Sequence, residues 1–218
     1  MEAARPLSRS RPGWSAANRG NRAARRELLD AIRAAAAPHL RGDGGLLDCG
    51  CGTGWLLEAL AADGVSPRRL HGVDLDPERV AAAARRAPGA TVRTADARSL
   101  PYPDGALAAV FHVVSLSSVG SEEAVREALV ESRRVLAPGG VLAVYEPRLP
   151  NPFNRETRRV RRADFAAAGL ALSEVRSLTL LPPLGRRLGG LTPRLHPRLS
   201  RLPALRSHRL LVHRAPAL

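Results

Sequence analysis

A chain of 218 residues with 44% hydrophobic and 25% charged side chains has the composition of one globular domain, alone or with a small cap, and not of a disordered segment. No window offers the roughly 18 consecutive apolar residues of a spanning helix, and the opening MEAARPLSRSRPGW lacks the apolar stretch of a secretory signal. Cys49 and Cys51, one residue apart, suit neither an ordinary disulfide nor a complete zinc site, so a reducing, cytoplasmic setting is expected. The formal charge of +14 is unevenly placed. All 34 cations are Arg; residues 1–41 carry 9 against 3 acids, residues 42–150 carry 11 against 14, and residues 151–218 carry 14 against 3. Such ends suit phosphate or carboxylate contacts, although a Lys-free composition rich in Ala, Gly and Pro is also what GC-rich codons produce.

In chain order, residues 15–37 are expected to form a helix with Leu28, Leu29 and Ile32 on one face, stopped by Pro38. LLDC (46–49) reads as a strand, 53–63 as a helix and 70–75 as a second strand. Asp76 and Pro77 read as the cap and first residue of a helix reaching Arg86. Strands follow at 90–95 and 106–114, then a helix from Ser121 to Leu136 with Glu122 and Glu123 in its first turn. APGG turns the chain into a strand at 141–146. A helix at 157–169 and strands at 171–180 and 205–215 complete the alternation. Strands alternating with helices predict an α/β fold with a doubly wound, mostly parallel sheet. The expected divisions are a cap helix region (1–41), a core (42–180), a Pro/Arg/Leu-rich lid (181–204), and a final strand with a tail (205–218). In the lid, Leu184, Leu188, Leu191, Leu195, Leu199 and Leu202 recur at helical spacing, and Gly189, Gly190 and Pro193 divide them into two short pieces. Thr192 and Pro193 are expected to be the N-cap and the first residue of the second piece.

The chemistry is concentrated in LLDCGCGTGWLLEAL. Asp48, Gly50, Gly52 and Gly54 stand where a strand turns into a helix, the place at which backbone approaches a nucleotide and helix N–H groups meet its negative end. About 20 residues on, GVDLD ends the second strand with an acid suited to ribose hydroxyls. The order of glycines is not that of a dinucleotide fingerprint, and no Lys exists for a phosphate loop.

DCGCGTG instead resembles the D/E-x-G-x-G-x-G motif of class I S-adenosylmethionine-dependent methyltransferases. GVDLDPERV is similar to that family's second-strand motif, TADARSLPYPDGALAAV to its D-A-x-x-L-P-F pattern, ESRRVLAPGGVLAV to its R-V-L-K-P-G-G motif, and VRRADFAAAGLALSEV to its late helix–strand pair. The likeness spans residues 42–180. It implies a Rossmann-like, seven-stranded sheet with a final antiparallel strand, an N-terminal helix and a helical lid. It also implies S-adenosylmethionine held by Asp48, Gly50, Gly52, Gly54, Asp74, Leu75, Asp96 and Ala97, with Asp74 at the ribose, Leu75 on the adenine and Asp96 at its edge. Two departures stand out: Leu107-Ala108-Ala109 replaces the usual fourth-strand entry, and Leu116-Ser117-Ser118-Val119 replaces a His-containing segment beyond it.

Candidates for a general base are His112, near the end of the fourth strand and more readily a packed strand residue, and Glu146, at the end of the fifth beside Tyr145. The following loop supplies Arg148, Asn151, Asn154 and Arg155 as acceptor contacts. Trp14, Asn18 and Arg22 are expected to cover the site from the N-terminal helix. No metal-ligand spacing is present, so no metal is expected. The leading expectation is O-methylation of a small polar, anionic or glycosylated acceptor, possible lipid linkage included. The alternatives are an RNA or ribosome methyltransferase using the basic flanks and a noncatalytic cofactor-binding partner. Aromatic residues for base stacking are few, at 3%. The basic leucine-rich lid also suits peripheral contact with an anionic membrane, and the oligomeric state is not set by the sequence.

Overall fold

The computed structural model describes residues 17–148 and 158–217. Its strands are β1 (Gly45–Cys49), β2 (Leu70–Asp74), β3 (Thr91–Thr94), β4 (Leu107–Val113), β5 (Leu136–Pro147), β6 (Leu172–Leu180) and β7 (Arg206–Arg214). Among the described residues the helices are α1 (Arg19–Arg41), α2 (Trp55–Ala62), α3 (Pro77–Arg86), α4 (Glu122–Val135), α5 (Arg162–Ala167), α6 (Pro182–Arg187) and α7 (Thr192–Leu199). The strands form one sheet in the order β3-β2-β1-β4-β5-β7-β6. Pairs among β1 to β5 are parallel, and β7 runs antiparallel to both β5 and β6. This is the doubly wound sheet with a reversed final strand that the alternation and the resemblance imply. No helix among the described residues is long and apolar enough to cross a membrane.

Two apolar layers sandwich the sheet. Leu28, Ile32 and Ala35 of α1 join Leu56, Leu57 and Leu60 of α2 on one face, against Ala109, Phe111 and Ala143. Val125 and Leu129 of α4 with Phe165 of α5 cover the other, against Val110, Leu142 and Val144. Successive side chains of β4 and β5 thus alternate between the layers, as a strand buried on both sides requires. The helix caps form where the sequence supplies them. Asp76 Oδ1 accepts from the Glu78 and Arg79 amides, and Ser121 Oγ accepts from the Ala124 amide.

Three boundaries differ from expectation. Pro38 does not stop α1, which continues to Arg41. The Arg69 guanidinium donates to the carbonyls of His39, Leu40 and Gly44, satisfying the end of the helix that a proline would otherwise weaken. The APGG segment is not a free turn but the start of β5, because Gly139 N–H donates to the Pro216 carbonyl and Ala215 N–H to Gly140. Helix α5 is shorter than the expected 157–169 and starts at Arg162, where the Asp164 carboxylate accepts from the Arg161 amide.

Residues 181–204 do form two short helical pieces, but Thr192 is the first residue of α7 rather than its cap. Its hydroxyl donates back to the Gly189 carbonyl. The leucine stripe is only partly covered, with Leu184, Leu188, Leu195 and Leu199 half-buried. Gly185, Thr192, His196 and Ser200 are the buried positions, whereas Leu191 and Leu202 are 54% and 52% exposed. The reason is the closeness of α1: a Cβ on Gly20 would stand 2.2 Å from the Gly185 carbonyl oxygen, so leucines cannot enter that contact.

Candidate functional site

The β1–α2 loop is shaped by glycines in the left-handed region, with φ of 77° at Gly50, 53° at Gly52 and 78° at Gly54. Gly50 and Cys51 donate their amides to the Val73 carbonyl at 2.8 and 2.9 Å, which ties the loop to the end of β2. A Cβ on Gly50 would lie 2.4 Å from Ser115 Cβ, so only glycine lets this loop touch the segment after β4. A Cβ on Gly52 would meet nothing within 4 Å. Its backbone borders open space, as a ligand cradle must.

Asp74 stands at the end of β2 with both oxygens engaged. Oδ2 accepts from Gly52 N–H at 2.8 Å and Oδ1 from Asp76 N–H at 3.0 Å. Each carboxylate oxygen retains a further lone pair for a ligand hydroxyl. Behind it Asp48 is buried, with Oδ1 lacking a hydrogen-bond partner among the described residues. Burial first, and the neighbouring Asp74 charge second, push its carboxyl up to about 7. Leu75 is 44% exposed at the same edge. Asp96 pairs with the Arg98 guanidinium and accepts the Arg98 amide, which hold its carboxyl below the usual range. Ala97 is half-buried against the α4 layer. Open backbone at Gly52, an unsatisfied buried acceptor at Asp48 and an exposed leucine fit the adenosyl and amino-acid ends of S-adenosylmethionine. Cys49 and Cys51 are buried fillers whose thiols are pushed up by burial.

The base candidates are placed otherwise than expected. His112 is fully buried, with Nδ1 2.9 Å from Ser115 Oγ and Nε2 2.9 Å from Ser132 Oγ, and burial pushes it down to about 3. It points into the α4 layer and packs there, as the alternative reading of a packed strand residue has it. Glu146 is also buried, and its Oε1 accepts from Leu116 N–H at 2.8 Å. Burial raises its carboxyl to about 7 against the lowering influence of donors in the Ser115–Ser117 turn. Both side chains therefore hold that turn, which in turn presses Ser115 onto Gly50. The residue between, Val114, was not singled out by the sequence. It is β-branched yet has φ of 54°, donates its amide to the Tyr145 carbonyl and is 39% exposed. Strain of this kind costs roughly 1–3 kcal/mol and clusters at functional sites.

Arg148 is turned toward the lid, donating to the carbonyls of Pro203 and Arg206 at 2.7 and 3.1 Å. Asn18 caps α1 through Oδ1 and donates to the Arg186 carbonyl, and Arg22 donates to the Ala17 carbonyl. The Asn18 contact joins α1 to α6, and the Arg22 contact stays within the start of α1. Trp14, Asn151, Asn154 and Arg155 lie outside the described residues. Tyr145 stacks on His208, with ring centroids 4.8 Å apart, and its hydroxyl meets Thr179 Oγ1.

Comparison with known proteins places this geometry. Residues 47–144 match a family model described as a methyltransferase domain. Over 113 residues the chain is 34% identical to a demethylmenaquinone methyltransferase of Chlorobaculum parvum, covering 51% of this chain and 44% of that one. The chain spans about half the length of such curated relatives or less. Among solved structures, the 4+2 cyclase SpnF superposes with a TM-score of 0.63 at 27% identity, covering 88% of this chain and 81% of that one. Geranyl diphosphate C-methyltransferase from Streptomyces coelicolor A3(2) gives a TM-score of 0.62 at 19% identity, over 87% and 77% of the two chains, a likeness of fold.

Proposed function

On the premise that this chain belongs to the class I S-adenosylmethionine-dependent methyltransferases, we propose that it transfers a methyl group to a small acceptor at the carboxyl edge of β4 and β5. The observation that carries this reading is the Gly52 cradle: an amide fixed on Asp74 beside open space, with Asp48 buried behind it. The bound cofactor supplies an electrophilic methyl on a sulfonium. The protein's part is to hold the two reactants in line and exclude water. Gly50, Ser115 and Val114 form the wall between the cradle and the acceptor side, and the exposed side chains of Leu75 and Val114 favour ligands with apolar faces.

Neither His112 nor Glu146 faces the acceptor side as a free base. We take the acceptor to be an acidic oxygen, a phenolate or carboxylate, on an apolar body, which needs neither of them as a base. Such an oxygen arrives already deprotonated, its proton having gone to solvent, so the protein need only hold it in line; S-adenosylmethionine, held at Asp48, Gly52 and Asp74, would supply the methyl group. The relative named a demethylmenaquinone methyltransferase supports an acceptor of apolar body. Incubation with methyl-labelled S-adenosylmethionine and fractionated small-molecule extract tests the proposal. Label in an organic-soluble methyl ester or aryl methyl ether, with matching S-adenosylhomocysteine, supports it. Ligand binding without S-adenosylhomocysteine production overturns it in favour of a noncatalytic role.

A further inference from the structure

Large apolar side chains left exposed are not scattered over this molecule. Among the described residues they are Leu75, Val114, Val130, Leu181, Leu191 and Leu202. All but Val130 follow a strand at the carboxyl edge of the sheet or lie in the segment joining β6 to β7 there. Leu75 and Val114 border the cradle, but Leu181, Leu191 and Leu202 belong to the lid. The lid faces the protein with Gly185, Thr192, His196 and Ser200 and turns Leu191, Arg194, Arg198, Arg201 and Leu202 outward. Leu184, Leu188, Leu195 and Leu199 are half-buried, so the segment keeps part of its leucine stripe covered and leaves Leu191 and Leu202 exposed among its arginines.

The charge around this face has one sign. Residues 181–204 hold five arginines and no acid, and no acid occurs between Glu174 and the end of the chain. Four of those arginines, Arg187, Arg194, Arg198 and Arg201, are exposed. Further in, Arg209 is held below the usual range by burial and by the nearby charges of Arg148, Arg159 and Arg162. Positive charge interleaved with apolar side chains on short helices is complementary to anionic headgroups over an acyl interior. A surface for single-stranded nucleic acid would present aromatic side chains for stacking, and residues 181–204 contain none.

We propose that the outward face of residues 181–204 is a docking surface for an anionic lipid bilayer, with the arginines at the headgroups and Leu191 and Leu202 entering the interface. The proposal deepens the functional reading above, on which it rests for its purpose: it would set the carboxyl edge of the sheet, and so the acceptor site, toward a lipid phase.

The test is cosedimentation of the purified full chain with phosphatidylcholine vesicles and with vesicles half phosphatidylglycerol. Binding is expected only to the anionic vesicles. Three arginine changes, R194Q/R198Q/R201Q, should weaken it about a hundredfold, since each cation near an anionic surface contributes roughly a factor of five. The exposed pair L191S/L202S should weaken it about tenfold, as removal of interfacial apolar area requires. The substituted positions are exposed, and unchanged thermal melting verifies the fold of each variant. No sedimentation of the wild type overturns the proposal. So does an L191S/L202S variant that binds as the wild type does while total RNA competes the vesicles away, which would make the face a nucleic-acid surface. Calorimetry with S-adenosylhomocysteine keeps the two readings apart: loss of that binding in the wild type refutes the methyltransferase function, whereas vesicle binding answers only for the lid.

Discussion

Glu146 and Leu116 meet across the carboxyl edge of the sheet, the Leu116 N–H donating to Glu146 Oε1 over 2.8 Å. With the His112–Ser115 contact from the neighbouring strand, this fixes the turn that lies against Gly50. The second oxygen of Glu146 is buried without a hydrogen-bond partner among the described residues. A carboxylate so placed costs stability whenever it is ionised.

The consequence is a pH dependence of defined sign. Burial raises the Glu146 carboxyl from 4.5 to about 7. Between those values the folded chain keeps a proton that the unfolded chain has lost. The contribution of this group is therefore fully favourable below about 4.5 and is lost as pH rises through 7. Replacement by Gln keeps an acceptor for the Leu116 amide and removes the titration. E146Q should equal the wild type near pH 5 and exceed it at pH 8 by up to about 3 kcal/mol. Thermal melts across this range check it; a difference that shrinks as pH rises sinks the assignment.

Asp74 carries the cradle, so its removal should be felt by both fold and ligand. D74A leaves the Gly52 and Asp76 amides without their acceptor. Loss of a charged acceptor is worth about 1.5–3 kcal/mol, a tenfold to hundredfold weakening of S-adenosylhomocysteine in calorimetry. Affinity unchanged from the wild type would remove Asp74 from the cofactor site.

Transfer should not depend on a metal. That expectation comes from the sequence, which offers no metal-ligand spacing. Activity measured before and after chelation should agree within error; loss restored by magnesium would place a metal in the reaction.

Two glycines should fail for different reasons. In G20A the new methyl would stand 2.2 Å from the Gly185 carbonyl oxygen, backbone against backbone. Helix α1 must then move from α6, at about 1–3 kcal/mol, with cofactor affinity little altered. In G52A the methyl enters open space, but φ of 53° strains an alanine and the group fills the cradle. Melting temperature should fall more for G20A, and S-adenosylhomocysteine affinity more for G52A.

The sequence displays those features that local chemistry decides. Asp76–Pro77 and Ser121 announce their helices, and the glycine run between two apolar strands announces the cradle. Features decided by distant partners are hidden. Pro38 stays helical because Arg69, 31 residues later, meets the carbonyls beside it. APGG is strand because the C-terminal tail pairs with it. His112 and Glu146 lie near the edge where ligands bind, but strand periodicity gives each a face and not the depth at which its polar atoms find partners. The leucine spacing of the lid is legible, but which of its leucines are covered is not, since Gly20 and Gly185 bring two helices together at a point no local pattern marks.

The lid can be removed without cutting the sheet. Leu181 N–H donates to the Leu205 carbonyl at 2.9 Å, so the segment leaves and rejoins the core at adjacent points. Joining these points by an Asn-Gly turn, which suits two antiparallel strands, deletes 182–204 while β6 and β7 keep their register. Helix α1 loses the Asn18–Arg186 contact and the Gly20–Gly185 packing, but its apolar face remains on the sheet through Leu28 and Ile32. The cradle touches none of the deleted residues: its loop is held by Val73, Asp74 and Ser115. Cofactor affinity should therefore stay within about threefold of the wild type, because the sites share no partners. Methyl transfer should fall by at least about a hundredfold, as an acceptor no longer enclosed loses its orientation. Transfer at the wild-type rate after excision would show that the acceptor site is complete without the lid.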